Sequence, residues 1–377
     1  MQANPIWPVT KRRAALEKDL RCDVLVVGGG MAGISSARAL KKEGRDVALI
    51  ERDEVGGPAT GASSGVLYYG SGTNFVPGVE VFGQETTEKL WLETSKVISE
   101  IKSLAPKADC GFRSCGAVMI AQNDEDLASV QEEHEALRTL GLPTTLLSTD
   151  QLSEIYPLVL FKGGISFDAV GQVHPARLAS ALAEMEGLTI FEGTPMVSWN
   201  EDGDKVTVKT DRAQIECSQL VLATNLEPVP GIGDGVETEG SVIIASTPTN
   251  RVPDVFPEEK IYWTMEEKYD LFYPRGDRLI LELYQLGEEE EKMKRYFPGV
   301  EFSTDQIWGE NWSKPRDWRP LLGMLTMRTA LAAGMGDQGI IMSWLSGSKV
   351  PGLLKGEQDW FTDLTSPRRF SIGGAQA

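Results

Sequence analysis

The sequence predicts an α/β fold that opens on a strand–helix–strand unit, and three observations carry the prediction. First, Asp23–Val27 is a short apolar, β-branched run of the kind found in a buried parallel strand. Second, it leads directly into Gly28-x-Gly30-x-x-Gly33. Third, Val47–Ile50 is another apolar strand, and it ends in Glu51. Between them lies a helix with Ile34, Ala37 and Leu40 on one face, closed by Lys41, Lys42 and Glu43 and stopped at Gly44. The first glycine permits a tight turn, the second lets backbone approach a pyrophosphate, and the third lets helix pack on strand. Backbone N–H groups and the helix N-terminus then hold the phosphates. Glu51, about twenty residues on, is placed to accept from ribose hydroxyls. The unit is Rossmann-like.

Composition narrows the function classes. The chain has 377 residues, enough for two domains, with ordinary globular shares of apolar (41%) and charged (24%) residues. Lys plus Arg is 37 and Asp plus Glu 55, a net charge of -18 that argues against nucleic acid or an anionic membrane as partner. Only His134 and His174 are present, which rules out most His-rich metal sites and leaves few candidates for a His base. Cys22, Cys110, Cys115 and Cys217 have no zinc-ligand spacing and read as reduced thiols of an intracellular protein. Residues 1–20 lack the apolar stretch of a secretory signal, and no run is long enough to span a bilayer. The expected location is cytoplasmic, or an organelle matrix had a presequence been removed.

Residues 1–20 read as a polar arm. Residues 53–74 are dense in Gly, Ser and Thr and read as a long loop able to approach a ligand closely. The periodicity predicts helices over 81–104, 124–140 and 150–156, with Pro106, Gly141 and Pro157 as stops. Strands are expected over 112–121 and 164–167. His174-Pro175 opens a helix that Gly187 closes. Residues 197–199 and 206–210 alternate like a hairpin, 217–224 is a buried strand, and 242–245 and 271–283 are strand-like. Residues 288–297 form a charged helix with Glu288–Lys292, Glu290–Lys294 and Glu291–Arg295 in favourable order, read as a solvated face. Residues 331–339 are a second glycine turn after an apolar stretch, and a helix follows over 340–354.

Five blocks in this order, DVLVVGGGMAGISSARAL, ERDEVGGPATGASSG, GQVHPARLASAL, QLVLAT and WRPLLG with AAGMGDQGI, resemble the FAD-dependent oxidoreductases of the D-amino-acid oxidase, glycine oxidase and sarcosine oxidase family. The likeness runs from about Asp23 to Phe370. It implies a Rossmann-like FAD-binding domain (21–75, 165–240 and 311–377) interleaved with a mixed-sheet α+β substrate domain (76–164 and 241–310). It places Gly28, Gly30 and Gly33, with Met31 and Ala32 between them, on the pyrophosphate. Glu51, followed by Arg52, would face the adenosine ribose. Ala62, Ser63 and Ser64 would lie along the pyrophosphate and ribityl chain, Val197 at the adenine, and Ala223 and Thr224 beside the adenosine half. Gly334, Met335, Gly336, Asp337, Gln338 and Gly339, with Ile340, would deliver amides to the flavin, whose reduced ring carries negative charge.

For the substrate, the resemblance points to Tyr273 and Arg275, where an Arg could hold a carboxylate bidentately or simply sit on a hairpin surface. Tyr68 and Tyr69 read as pocket or core, and Lys349 as an oxygen-activating or a helix-surface lysine. Three departures stand out: Asn225 where Gly is common, a shortened Arg319-Pro320-Leu321-Leu322-Gly323 segment, and Glu282-Leu283 where Gly-Gly is common. With no Cys near the late glycine turn, the FAD is expected to be non-covalent. The expected activity is oxidation of the C–N bond of a small amine or amino acid, with oxygen or another carrier as electron acceptor. A 2-hydroxy-acid dehydrogenase and a structural flavoprotein with a protein partner are the other readings; Tyr68 at the His-like place of the former weakens it.

Overall fold

The computed structural model describes residues 12–225, 235–266, 268–284 and 287–370. Most of the expected arm therefore lies outside the described residues. From Arg12 onward it is tied down: the Arg13 backbone N–H donates to Glu192 at 2.6 Å and Leu16 is buried.

Two eight-stranded sheets organise the chain. In the first, Leu20–Val27 is central, parallel to Val47–Ile50 on one side and to Gln214–Leu222 on the other. Thr189–Phe191 extends one edge; Thr329–Ala333 and Leu321–Met324 extend the other. The hairpin Met196–Asp202 and Lys205–Thr210 also pairs on Gln214–Leu222. Val24–Val27 are buried on both faces, which is why the run is continuously apolar. One face is covered by the helices Met31–Lys42 and Gly339–Leu354. They approach so closely that a Cβ on Gly347 would lie 2.5 Å from the Ser35 Cβ.

The second sheet runs in the order Thr304–Pro315, Val236–Ser246, Arg278–Leu283, Leu271–Arg275, Ile261–Thr264, Ala117–Ala121, Gly163–Phe167 and Thr145–Ser148. All its pairs are antiparallel except Ile261–Thr264 on Ala117–Ala121. It takes in more of the chain than the expected boundaries at 165, 240 and 311 allowed. One hydrophobic cluster runs from Val24 and Leu49 in the first sheet to Met119, Tyr273 and Trp308 in the second, so the two share a core. An aromatic cluster around Tyr156, Tyr262, Phe272 and Tyr296 packs the other face of the second sheet.

Several elements differ from the sequence expectation. The helix expected over 81–104 is two, Phe75–Phe82 and Gln84–Leu104, broken at Gly83 with φ +79°. Phe75–Phe82 has no cap from its own Asn74. The buried Glu133 carboxylate caps it instead, accepting from Phe75 N–H at 2.6 Å and Val76 N–H at 2.9 Å. The strand expected over 112–121 begins only at Ala117. The 53–74 loop holds a short helix, Pro58–Ala62, and a two-residue strand, Val66–Leu67. On the charged helix, now Glu289–Tyr296, Lys292 is not solvated; it turns inward to Asp270 at 2.6 Å.

Candidate active site

At the nucleotide end, the three glycines do different jobs. A Cβ on Gly28, whose φ is +112°, would lie 2.3 Å from the Ala223 carbonyl oxygen. One on Gly33 would lie 1.8 Å from the Gly28 oxygen. Both are demanded by packing. A Cβ on Gly30 would meet only the Thr60 hydroxyl at 3.3 Å, so its free side faces the space a ligand needs. The helix that starts there has no side-chain cap and no acid in its first turn, which leaves its N-terminus to an anion. Met31 N–H already donates to Thr60 Oγ1 at 3.0 Å, and Met31 and Ala32 pack on the core.

Glu51 is held at its strand end by two backbone donors, Gly29 N–H at 2.5 Å and Asp53 N–H at 2.8 Å. Each oxygen keeps a lone pair for a ribose hydroxyl. The exposed Arg52 turns to Asp53 at 3.2 Å. Ala223 N–H donates to Val27 O at 2.8 Å, which sets Ala223 and Thr224 beside the first glycine. Asn225 follows with φ +49°, a conformation Asn tolerates, so it does the glycine's backbone job at that departure. The Val197 side chain is 67% exposed, and the preceding Met196, partly buried, packs on the core.

At the other end, Ala62 O accepts from Trp308 Nε1 at 2.8 Å, tying the 53–74 segment to the second sheet. Gly334 (φ +66°) packs against Pro315, but around Gly336 and Gly339 the space a Cβ would take is open to 4 Å. Met335 is buried and accepts from Ser346. The helix Gly339–Leu354 begins here without a side-chain cap. Ser63, Ser64, Asp337, Gln338 and Ile340 from these two segments line one side of a cavity of about 540 Å³. The second sheet contributes Trp263, Leu271, Glu282, Glu310 and Trp312, with Tyr284 just past its strand, and the helices Phe75–Phe82 and Asp124–Thr139 close another side through Pro77, Val81 and Ser129. Tyr68 joins them, as one of the two sequence readings had it. Tyr69 belongs to the core.

The interior of this cavity is acidic and aromatic. Glu282 Oε1 accepts from Ser241 Oγ at 2.7 Å, while Oε2 has no hydrogen-bond partner of good geometry. Burial pushes the Glu282 carboxyl up to about 7 and raises Glu310 strongly, with Glu282 and Asp337 adding to the latter. Burial also raises Asp337, against the Gln338 N–H and two tyrosine hydroxyls that favour its charged form. Those hydroxyls, Tyr284 and Tyr269, reach Asp337 Oδ2 at 3.2 and 3.3 Å. Tyr68 and Trp263 rings stand 5.0 Å apart, Tyr284 and Trp312 rings 5.6 Å. The exposed rim carries Glu80, Glu125 and Glu266.

Tyr273 and Arg275 are not on the cavity wall. They share a strand face with Leu271, which does line it, but Arg275 stands four residues on, about 13 Å along the strand. Arg275 donates to Gln172 Oε1 at 2.8 Å, and Tyr273 is fully buried. The sequence reading missed Glu282, Glu310, Tyr269 and Tyr284. One signal was present: Glu282 interrupts an otherwise apolar strand, at the place already marked as a departure. Lys349 pairs with Asp359 at 2.6 Å and is not on the wall either.

A phosphate-ready glycine turn on one sheet, with a cavity between the late glycine turn and a second, mostly antiparallel sheet, is the arrangement of a dinucleotide-dependent redox enzyme. The model of the family described as FAD dependent oxidoreductase matches residues 23–350. The chain is 25% identical to gamma-glutamylputrescine oxidoreductase of Escherichia coli, covering 96% of this chain and 90% of that one. It is 24% identical to glycine oxidase of Bacillus licheniformis, covering 93% and 99%. Among solved structures, glycine oxidase from Geobacillus kaustophilus superposes with a TM-score of 0.76 at 20% identity, covering 95% of this chain and all of that one. L-proline dehydrogenase from P. horikoshii does so with 0.75 at 19%. The chain belongs to the FAD-dependent oxidoreductase family of the D-amino-acid oxidase type, and FAD is its cofactor.

The residues present fit that cofactor. The open sides of Gly30, Gly336 and Gly339, the two uncapped helix N-termini and the cavity between the sheets provide room and donors where a dinucleotide and its ring need them. Among the described residues no helix is long and apolar enough to cross a membrane, and no cluster of His, Cys, Asp and Glu could hold a metal.

Proposed function

We propose that the chain oxidises the C–N bond of a small amine or amino acid, with FAD held non-covalently between the two sheets. Gly28, Gly30 and Gly33 with Glu51 would hold the adenosine diphosphate half, and the 334–340 turn the ring. Bound FAD supplies a two-electron acceptor for the hydrogen leaving the carbon next to nitrogen. The protein's part is to bind the substrate, exclude water and present it as a neutral amine. The observation that carries the reading is the cavity itself, where flavin-side Ser63, Ser64 and Gln338 face a largely aromatic wall from the second sheet.

Amine oxidation needs little acid–base machinery, whereas a hydroxy acid needs a base on its hydroxyl. Neither His lines the cavity: His174 caps the Pro175–Met185 helix and His134 contacts Thr144. That favours the amine. The names of two relatives, a glycine oxidase and a gamma-glutamylputrescine oxidoreductase, point the same way. Oxygen or another carrier would take the electrons onward. The test is anaerobic addition of pooled amines and amino acids to the yellow protein. Bleaching of the flavin band is expected; a band that persists through every amine and amino acid overturns the reading.

A further inference from the structure

We propose that the cavity selects cationic amines that carry no carboxylate beside the reacting carbon, and that Glu282 receives the ammonium through its Oε2, which makes no hydrogen bond of good geometry. The proposal rests on the amine-oxidoreductase reading and names the substrate class of the same cavity.

Charge is the first support. Glu282, Glu310 and Asp337 face the cavity from three separate segments, and its exposed rim adds further acids. Among the described lining residues there is no Lys, Arg or His. A substrate carboxylate would lose its hydration and find no cation among the described lining residues in exchange. Arg275, the cation that a carboxylate would have wanted, is engaged with Gln172 away from the wall. Two lysines line a smaller adjoining recess, where Lys314 is paired with Glu239 at 2.7 Å and lies 3.5 Å from the Trp318 ring centre.

Partner geometry is the second. Glu282 is 4% exposed, its Oε1 is satisfied by Ser241, and its Oε2 makes no hydrogen bond of good geometry, with the Ser64 hydroxyl the other group that favours the charged carboxylate. Such an atom is costly unless a donor arrives, and an ammonium brings three. Nearby aromatic faces, Tyr68, Trp263 and Trp312, suit a cation rather than an anion. A carboxyl poised near 7 is also suited to take the proton that an incoming ammonium must shed before its carbon can be oxidised.

Three probes of one shape decide it: tert-butylammonium, tert-butanol and trimethylacetate, none of which has a hydrogen on the central carbon to be oxidised. Binding to the FAD-loaded protein is read by calorimetry. The ammonium is expected to bind at least tenfold tighter than the alcohol and the carboxylate weakest, with E282Q losing at least tenfold for the ammonium alone. Equal binding of all three, or tighter binding of trimethylacetate, overturns the proposal. The wild-type comparison stands even where E282Q does not fold. Flavin bleaching separates the two levels. Bleaching by sarcosine with no Glu282-dependent ammonium binding keeps the amine reading and sinks this one. Glu282-dependent ammonium binding with no bleaching by any of the pooled amines and amino acids keeps the cation-selective cavity and sinks the amine-oxidation reading.

Discussion

Leu271 and Glu282 stand opposite each other on adjacent antiparallel strands, and both reach the cavity; Arg275 pairs with Arg278 at the far end of the same hairpin. Distance along the strand separates substrate wall from scaffold. Arg275→Ala is therefore expected to leave kcat/KM for an amine within about threefold of wild type. It should cost about 1–3 kcal/mol of stability through the bond lost to Gln172. A KM raised tenfold with unchanged melting temperature would return Arg275 to the substrate.

Gly30 and Gly33 should fail in different ways. Gly30 has φ -70°, which any residue adopts, and a Cβ there would press only on the Thr60 hydroxyl at 3.3 Å. Gly30→Val should fold and emerge colourless, by far-UV circular dichroism and flavin absorbance. Gly33→Ala drives a Cβ into the Gly28 carbonyl and should yield little folded protein. A yellow Gly30→Val protein would remove the pyrophosphate from this turn.

Glu133 links pH to stability. Burial pushes its carboxyl up to about 7 from 4.5, against the Val76 and Phe75 amides. The native state thus keeps a proton that the unfolded chain releases, so this contribution is full below about pH 4.5 and is lost as pH rises through 7. The loss is at most about 3 kcal/mol. Melting temperature measured from pH 5 to 8 should fall for wild type and fall less for Glu133→Gln. Parallel curves would show that Glu133 does not titrate in this window.

Lys349 sits on the Gly339–Leu354 helix and is tied to Asp359, the cap of the Trp360–Thr365 helix. Lys349→Met should leave the rate of flavin reoxidation by oxygen unchanged and lower stability by less than about 1 kcal/mol. A rate lowered tenfold would give Lys349 a part in oxygen chemistry.

The nucleotide end was legible in the sequence because its parts are local. Asp23–Val27, the three glycines, the helix and Glu51 lie within one short stretch, and each residue type answers to backbone geometry or a phosphate rather than to a distant partner. The late glycine turn was legible for the same reason. The substrate side was not. Glu282 and Glu310 come together with Tyr269 only when remote strands pair into the second sheet, and Asp337 meets them only when the late glycine turn of the first sheet packs against it. Nothing in their spacing says that their side chains meet. Period-two alternation and strand length then settle which residue of a promising motif is used. They bring Leu271 to the cavity and leave Arg275 outside it, and they turn the partly buried Met196 to the core while Val197 faces solvent.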